Sequence, residues 1–587
     1  MTFLRRPIFL ILLFALILRL WGIDYALPQF FVNDERAIVY GALKMLELKT
    51  LVPAWHEEEF RKVLNYLPLP SYIYLFTLTP VIGFGYLFSG ALDLAAYREA
   101  LVLDPTLIFL TARIIIALMG VATIYLTYRL ARGIFESERA GLIAAIFLAV
   151  SFYHVQLSQV TRQWMPALLF LALAWLASLE IYRRGSLKGY VLTGLFAGLG
   201  VGANTAVAVA MIPPVLAHFL RPAVGTEPST SGARFAERIR DPKLWLSIAV
   251  FLGVSSLFIA LYPYGLTQGE TPGGTAVSTL VAKFSGLAGK NVAGWLSFFW
   301  FYVRLLFTYE TVLLIAAIGG AFLAWKFHRS WVGIAAVFAI GYLTLLYLFF
   351  NIIPRGALFI LPILAVFAGY AADRLILRAQ NLVRATPVRT FLVFVFWFLV
   401  LFAWPLAFVF RYDYLLTRAD TRLLAAEWLY QNLPPDARLL ADLSSLRITN
   451  TKEGVKTLSE IAPGGLRVED RTLLQVPDAR YPEPNREVLN LHFVNPDSLY
   501  RQQRERDFFT ARGYRYFAVE YEYAGGQDLN PQSRALAAQG RLVARFQPGG
   551  AVGADRVLDI SGEIATIPLW QLWELERFGQ IVEIYEL

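Results

Sequence analysis

The 587-residue chain contains no cysteine. Disulfides, thiolate metal sites and cysteine nucleophiles are therefore excluded, while the compartment stays undefined. Charge is scarce too: Asp, Glu, Lys and Arg make up 17% of the residues, and hydrophobic residues 57%. Soluble domains average about 25% charged and about 45–50% apolar. The charge that exists leans positive, 53 Lys+Arg against 44 Asp+Glu, for a net +9. In so apolar a chain this excess reads as cytoplasmic loops and not as a nucleic-acid surface. In residues 411–587 repeats and low-complexity tracts are missing as well. The glycine-rich stretches "YAGGQDLNP" (523–531) and "FQPGGAVGADR" (546–556) make no phosphate-binding loop and read as turns. In "PAWHEEEF" (53–60) the acids are consecutive, so they splay around a helix instead of converging on a metal.

What is present is a series of apolar runs long enough, at about 20 residues, to cross a hydrocarbon core. The chain reads as a polytopic α-helical membrane protein. The first run, 7–23, follows Arg5–Arg6 but leads into "LRLWGIDYALP" with no small-residue cleavage site, so it reads as a retained span. Further runs fall at 106–128, 140–157, 164–182, 243–263, 301–325, 331–350, 356–373 and 390–410. The segments between them include "YRLARGIFESER" (128–139), "YRRGSLKG" (182–189), "LRPAVGTEPSTSGARFAERIRDPK" (220–243), "WKFHRS" (325–330) and "DRLILRAQNLVRATPVR" (373–389). Short basic loops of this kind lie in the cytoplasm. The run 189–220 sits between two of them and breaks at Asn204–Thr205, which predicts two short, tightly packed helices.

The expected total is about 11 crossings, with the N-terminus inside and the tail outside. Residues 66–88, with Pro68, Pro70 and Pro80, make a poor straight helix and are read as an interfacial or re-entrant segment on the outer side. An ordinary span is the alternative. After Phe410 the sequence turns charged and rich in Pro and Gly. "DTRLLAAEWLYQNLP" (420–434) has helical spacing, and "RYFAVEYEY" and "IVEIYEL" read as strands. The expected organisation is a membrane domain, 1–410, with an outer loop 24–105 carrying amphipathic helices. A soluble extracytoplasmic α/β domain, 411–587, follows.

Two adjacent carboxylates stand where the chain leaves its first span, in "FFVNDERAIVYGALKML" (30–46). Asn33 suits an N-cap, and Asp34 and Glu35 suit a first helical turn, where acids complement the helix dipole. Ile38, Val39, Ala42, Leu43 and Leu46 form an apolar stripe, which predicts a helix lying on the outer membrane surface. Capping alone would account for the pair. The same outer face, however, gathers His154 and Arg162 in "SFYHVQLSQVTRQW" (151–164), Arg113 near the start of its run, and Arg355 in "NIIPRGALF". Arginines there either snorkel to lipid phosphates or serve a site. Guanidinium groups grip phosphate through a planar fork, and a nearby carboxylate can take a proton from a hydroxyl. Together they suggest chemistry on a lipid-borne phosphate.

These segments resemble the lipid-phosphosugar-dependent glycosyltransferases of GT-C fold, the group with protein O-mannosyltransferases and aminoarabinose transferases. "NDERAIVYGALKML" is similar to that family's Asp-Glu motif, and "NYLPLPSYIYL" to its Pro-Pro-Leu segment. "ARIIIALMGVATIYLTYRLARGIF", "AGLIAAIFLAVSFYHVQLSQVTRQWMPALLF" and "PRGALFILPILAVFAGYAA" resemble later spans, over about residues 1–435 in all. The resemblance implies an inverting transfer from a polyprenyl (dolichyl-type) phosphate sugar to an acceptor hydroxyl of a protein, lipid or glycan at the plasma membrane. It implies Asp34 as general base and Glu35 as its neighbour. It also implies Arg113, Arg162, Arg355, His154 and Tyr66 as substrate-binding residues. Two departures stand out: Gln163–Trp164 follow Arg162 where the family often has an acid, and "GANTAV" carries no lysine. The sequence thus identifies no certain cofactor, and a divalent metal stays open without support from it. A transporter, or an inactive membrane scaffold of the same fold, are the rival readings.

Overall fold

The computed structural model describes residues 7–29, 31–32, 35–222, 231–266, 285–350, 352–382, 387–462, 466–523, 525–549 and 569–587. Asn33 and Asp34 lie outside these residues. The chain divides into two compact units. One comprises residues 1–23, 34–79 and 112–410, and the other residues 24–33, 80–111 and 411–587.

The first unit is helical. Its elements include α1 (Pro7–Leu20), α2 (Glu35–Leu48), α3 (Leu69–Phe88), α4 (Thr106–Phe135), α5 (Glu138–Ala149), α6 (Phe152–Leu157) and α7 (Trp164–Arg184). Then come α8 (Leu187–Ala203), α9 (Ile212–Leu220), α10 (Pro242–Leu261), α11 (Val292–Tyr309), α12 (Thr311–Phe349), α13 (Leu361–Leu382) and α14 (Pro387–Leu416). Helices α3 and α4 each begin or end in the second unit, and α14 runs into it. Among the described residues seven helices are long and apolar enough to cross a membrane, and Pro7–Leu20, Leu187–Ala203 and Thr205–Leu220 are shorter apolar helices. The protein is an integral, polytopic helical membrane protein. The 66–88 segment is a continuous helix from Leu69 with Pro80 inside it, and it is one of the seven.

The predicted break at Asn204 is present: its backbone is extended, and its side chain caps the turn that follows through Ala206 N at 2.9 Å. The tight packing of α8 comes from glycines at helical spacing. A Cβ at Gly194 would overlap Ser247 O, and one at Gly198 or Gly202 would press on Val254 or Phe258 of α10. Small residues let two helices approach where lipid supplies no hydrophobic drive between them.

One run folds otherwise than read. The run 301–325 is interrupted, because α11 ends at Tyr309 and Glu310 leaves the helical region. In "WKFHRS" the backbone leaves the helical region at His328 alone, so α12 is two helices joined at that residue, where the sequence places the boundary between two runs. Another difference concerns α2. Its buried face carries Ile38, Val39, Gly41, Ala42 and Met45, while Leu46 is exposed. Ser71 Oγ donates to Ile38 O at 2.9 Å, and a Cβ at Gly41 would meet Ser71 and Leu64. The helix thus packs on the chain's own 64–71 segment.

The second unit holds α15 (Thr421–Asn432), β1 (Arg438–Asp442), α16 (Lys452–Ile461), β2 (Glu487–Asn490), β3 (Tyr514–Tyr521), α17 (Pro531–Gln539), β4 (Arg541–Phe546) and β5 (Ile581–Glu586). The sheet order is β2-β1-β3-β5-β4. The first three strands are parallel, and β5 runs antiparallel to both β3 and β4. Crossovers between parallel strands require helices, and these cover a core of Leu440, Leu489, Phe517 and Val519 with Leu458 and Leu536. Residues 24–33 join this unit: Tyr25 donates to Asp420, and the guanidinium of Arg422 lies 3.7 Å from the Phe31 ring centroid.

Candidate active site

The site grows from the start of α2. Glu35 stands in the first turn, as its charge favours, but it is completely buried. Arg113, 2% exposed, donates to it through Nε at 3.0 Å and NH2 at 2.7 Å, one bond to each carboxylate oxygen. Thr161 adds its backbone N–H at 2.9 Å and its hydroxyl at 3.0 Å, both to Oε1. A third Arg113 nitrogen donates to Ile23 O at 2.8 Å. A two-point guanidinium–carboxylate fork with extra donors is the arrangement in which a buried ion pair is tolerated. The clamp ties the end of the first span, α2, α4 and the 158–163 connection to one another.

That connection is wholly buried although it is irregular. Non-helical backbone at membrane depth survives only when protein encloses it or a cavity solvates it. Gln159 holds it to α1 by donating to Leu18 O at 3.1 Å. Beyond Thr161 come Arg162, Gln163 and Trp164, all buried. The guanidinium of Arg355 lies 5.7 Å from the Trp164 ring centroid, and Phe359 packs on the same indole. Two polar atoms at this point, Gln163 Oε1 and Trp164 Nε1, are buried without a hydrogen-bond partner among the described residues. Tyr74 on α3, whose ring sits in the field of Glu35, has a hydroxyl in the same condition. Such groups cost free energy unless something satisfies them, and a bound polar ligand would do so.

His154 is pinned elsewhere in this neighbourhood. Its Nδ1 lies 2.7 Å from Arg19 NH2, and its Nε2 lies 2.7 Å from Thr123 Oγ1. Arginine can only donate, so Nδ1 accepts and Nε2 carries the proton. Thr123 passes its own proton to Gly120 O at 2.7 Å. Arg19 also donates to Ala149 O at 3.2 Å, closing the end of α5. The imidazole is a neutral tie between α1, α4 and α6. Tyr66 is half-buried in the 64–71 segment that packs on α2, with its backbone against Gly265.

The structure therefore brings Glu35 and Arg113 into contact, and sets Arg162 in the same buried connection as Thr161, with Arg355 across Trp164. Asp34, outside the described residues, precedes Glu35 in the chain. Sequence reasoning passed over Thr161, Arg19 and Glu310. Glu310 is buried, and its Oε1 accepts from Ser151 Oγ at 2.7 Å and Tyr153 N at 3.1 Å. Arg19 and Glu310 were each a lone charge in an apolar stretch, which is itself a signal. Thr161 had none, because a threonine before an arginine is unremarkable.

Residues 108–259 match the family of dolichyl-phosphate-mannose-protein mannosyltransferases. This stretch, about a quarter of the chain, carries Arg113, His154, Thr161 and Arg162, and the match agrees with the glycosyltransferase resemblance drawn from the motifs. No curated protein matches the chain. Among solved structures the chain is similar to an Archaeoglobus fulgidus oligosaccharyltransferase in complex with Zn and sulfate, at 14% identity over 93% of this chain and 72% of that one, with a TM-score of 0.48. It is also similar to the oligosaccharyltransferase AglB of the same organism, in complex with an inhibitory peptide and a dolichol-phosphate, at 13% identity over 89% and 70%, TM-score 0.44. A third is ArnT from Cupriavidus metallidurans bound to undecaprenyl phosphate, at 13% identity over 98% and 97%, TM-score 0.45. No residue's role follows from likenesses at these levels.

Proposed function

We propose that the protein is an inverting glycosyltransferase of GT-C type that moves a hexosyl or pentosyl group from a polyprenyl phosphate to an acceptor hydroxyl. The reaction takes place on the extracytoplasmic side of the plasma membrane. The acceptor belongs to a protein, lipid or glycan. The observation that carries this reading is the Glu35–Arg113–Thr161 clamp, which fixes the start of α2 to the buried connection bearing Arg162 and Trp164. It is supported by the mannosyltransferase-family match over residues 108–259.

In this mechanism the acceptor oxygen attacks the anomeric carbon from the face opposite the phosphate. The new C–O bond forms as the bond to the phosphate oxygen breaks. The proton passes to Asp34, and the electron pair leaves on the lipid phosphate. Charge grows on that phosphate, so prearranged donors lower the barrier. Arg162, Arg355 and Trp164 Nε1 are assigned that task. Glu35 already accepts bonds from Arg113 and Thr161, so it positions its neighbour and does not act as base. The membrane domain, 1–410, carries the reaction, and the domain 411–587 caps the site or selects the acceptor.

Asp34→Asn tests the assignment. Sugar transfer from a labelled polyprenyl-phosphate donor is expected to vanish while the melting temperature and donor binding persist. Transfer at the wild-type rate would remove Asp34 as base.

A further inference from the structure

A second polar site lies at the opposite end of α4. A cavity of about 1020 Å³ opens between α4, α7 and α8, with Ile8 of α1 at its edge. Its lining divides by chemistry. One part is apolar, with Leu173, Leu176, Leu192 and Phe196. The other is charged and mainly cationic: Arg129 and Arg132 from α4, Arg183 and Arg184 from the end of α7, and Lys188 from α8, against the two acids Glu136 and Glu180. The two basic segments that the sequence assigns to the cytoplasm are thus brought together around one cavity, and Arg183 donates to Gly133 O and pairs with Glu136 at 3.2 Å.

The cations are not all spent on each other's neighbours. Arg132 pairs with Glu138 at 2.8 Å and Arg184 with Glu180 at 3.4 Å. Arg129 bonds the hydroxyl of Tyr125 at 3.1 Å, and neither it nor Lys188 has a carboxylate partner among the described residues. Among the described residues these two cations face the cavity without a carboxylate in ion-pair contact, while its acids Glu136 and Glu180 are held by Arg183 and Arg184. Arg129 is 16 positions beyond Arg113 on one helix, a rise of about 24 Å, close to the ~30 Å thickness of a hydrocarbon core. The cavity is therefore distinct from the Glu35–Arg113 site and lies near the other membrane face.

We infer that this cavity binds the headgroup of an anionic phospholipid from the leaflet on the basic side, with the phosphate at Arg129 and Lys188 and an acyl chain along the Leu173–Leu176–Leu192–Phe196 wall. A free phosphate would satisfy the cations but leave the wall unexplained. A neutral lipid would satisfy the wall but leave the two cations without a partner. Basic pockets between transmembrane helices on the cytoplasmic side select acidic headgroups by this combination.

The test uses the full chain in nanodiscs of phosphatidylcholine alone or mixed with phosphatidylglycerol, with Arg129→Gln/Lys188→Gln as the variant. Wild type is expected to melt several degrees higher in the mixed bilayer and to retain phosphatidylglycerol in native mass spectrometry. The variant should melt as wild type does in phosphatidylcholine and lose the difference. Inorganic phosphate added to the phosphatidylcholine sample should leave the melting temperature unchanged. Equal melting of wild type in both bilayers with no retained phosphatidylglycerol overturns the inference. So does an undiminished difference in the variant, or a full shift with phosphate alone. If the double variant does not fold, Lys188→Gln alone replaces it, and retention of the acidic lipid at the wild-type level then counts against the site.

Discussion

Neutralising one member of the Glu35–Arg113 pair asks more of the fold than removing both. Both side chains are essentially out of solvent, at 0% and 2% exposure. Glu35→Gln leaves a buried guanidinium without a counter-charge, and Arg113→Met leaves a buried carboxylate without one. Breaking a buried pair from one side costs about 3–5 kcal/mol, because the remaining charge is desolvated and uncompensated. At about 1.4 kcal/mol per decade, this is on the order of 10²–10³-fold in the population of the opened state. The double variant, Glu35→Gln/Arg113→Met, differs in kind. Its side-chain amide would still offer an oxygen to the N–H and hydroxyl of Thr161, and its thioether chain would fill much of the arginine's stem volume. It should therefore recover about 2–3 kcal/mol against the sum of the singles. Membrane proteins of this size unfold irreversibly, so the readout is the half-life of the folded protein at fixed temperature in one detergent. Both singles should shorten it severely and the double much less. Equal and additive losses would refute the claim that the clamp is a coupled ion pair.

Two further expectations follow from the same reasoning. Trp164→Phe removes an indole N–H that has no protein partner among the described residues, so it should leave the melting temperature nearly unchanged. If that N–H meets the donor phosphate, KM for the polyprenyl-phosphate sugar should rise about tenfold, the worth of one hydrogen bond to a charged group. An unchanged KM would exclude the contact. In the second unit, burial works to raise the Asp442 carboxyl, but bonds from His492, Ser533 and Asn530 and the charge of Arg501 outweigh it and bring it from 3.8 down to about 2. A depressed acid contributes stability above its unfolded value and loses it as pH falls through the folded one. Asp442 should therefore contribute about 2–3 kcal/mol at neutral pH and nothing below pH ~2. Asp442→Asn should lower the melting temperature of residues 411–587 at pH 7, and the gap from wild type should close on acidification. A gap independent of pH would sink this account.

The membrane character, the break at Asn204 and the helix at 421–432 were all legible, because each rests on local signals: hydropathy, a polar interruption, helical spacing. Errors arose where a single residue outweighed an average. Glu310 sits among apolar residues that dominate any window, yet its backbone leaves the helical region at the end of α11 and its carboxylate accepts from Ser151 and Tyr153 across more than a hundred positions of sequence. The basic hexapeptide around His328 does mark the boundary between two helices, but the break there falls on the single residue His328 and not on a longer loop. For the α/β domain, β3 and β5 were visible as aromatic and β-branched runs. The parallel order β2-β1-β3 was not, since register between distant strands leaves no local trace.

The site itself divides along the same line. That Glu35 and Arg113 matter could be read from ionisable residues at the ends of apolar runs. That they bond each other could not, because 78 residues separate them. Under the proposed mechanism the acid pair divides its labour. A carboxylate held by two guanidinium nitrogens and by Thr161 has little freedom to shuttle a proton. Two adjacent acids with one buried as an anchor thus make better sense of the "NDER" segment than two equivalent bases. The guanidinium of Arg355 lies against Trp164 and not at Glu35, and Arg162 follows Thr161 in the same buried connection. A guanidinium already neutralised by an internal carboxylate has little charge left to offer a lipid.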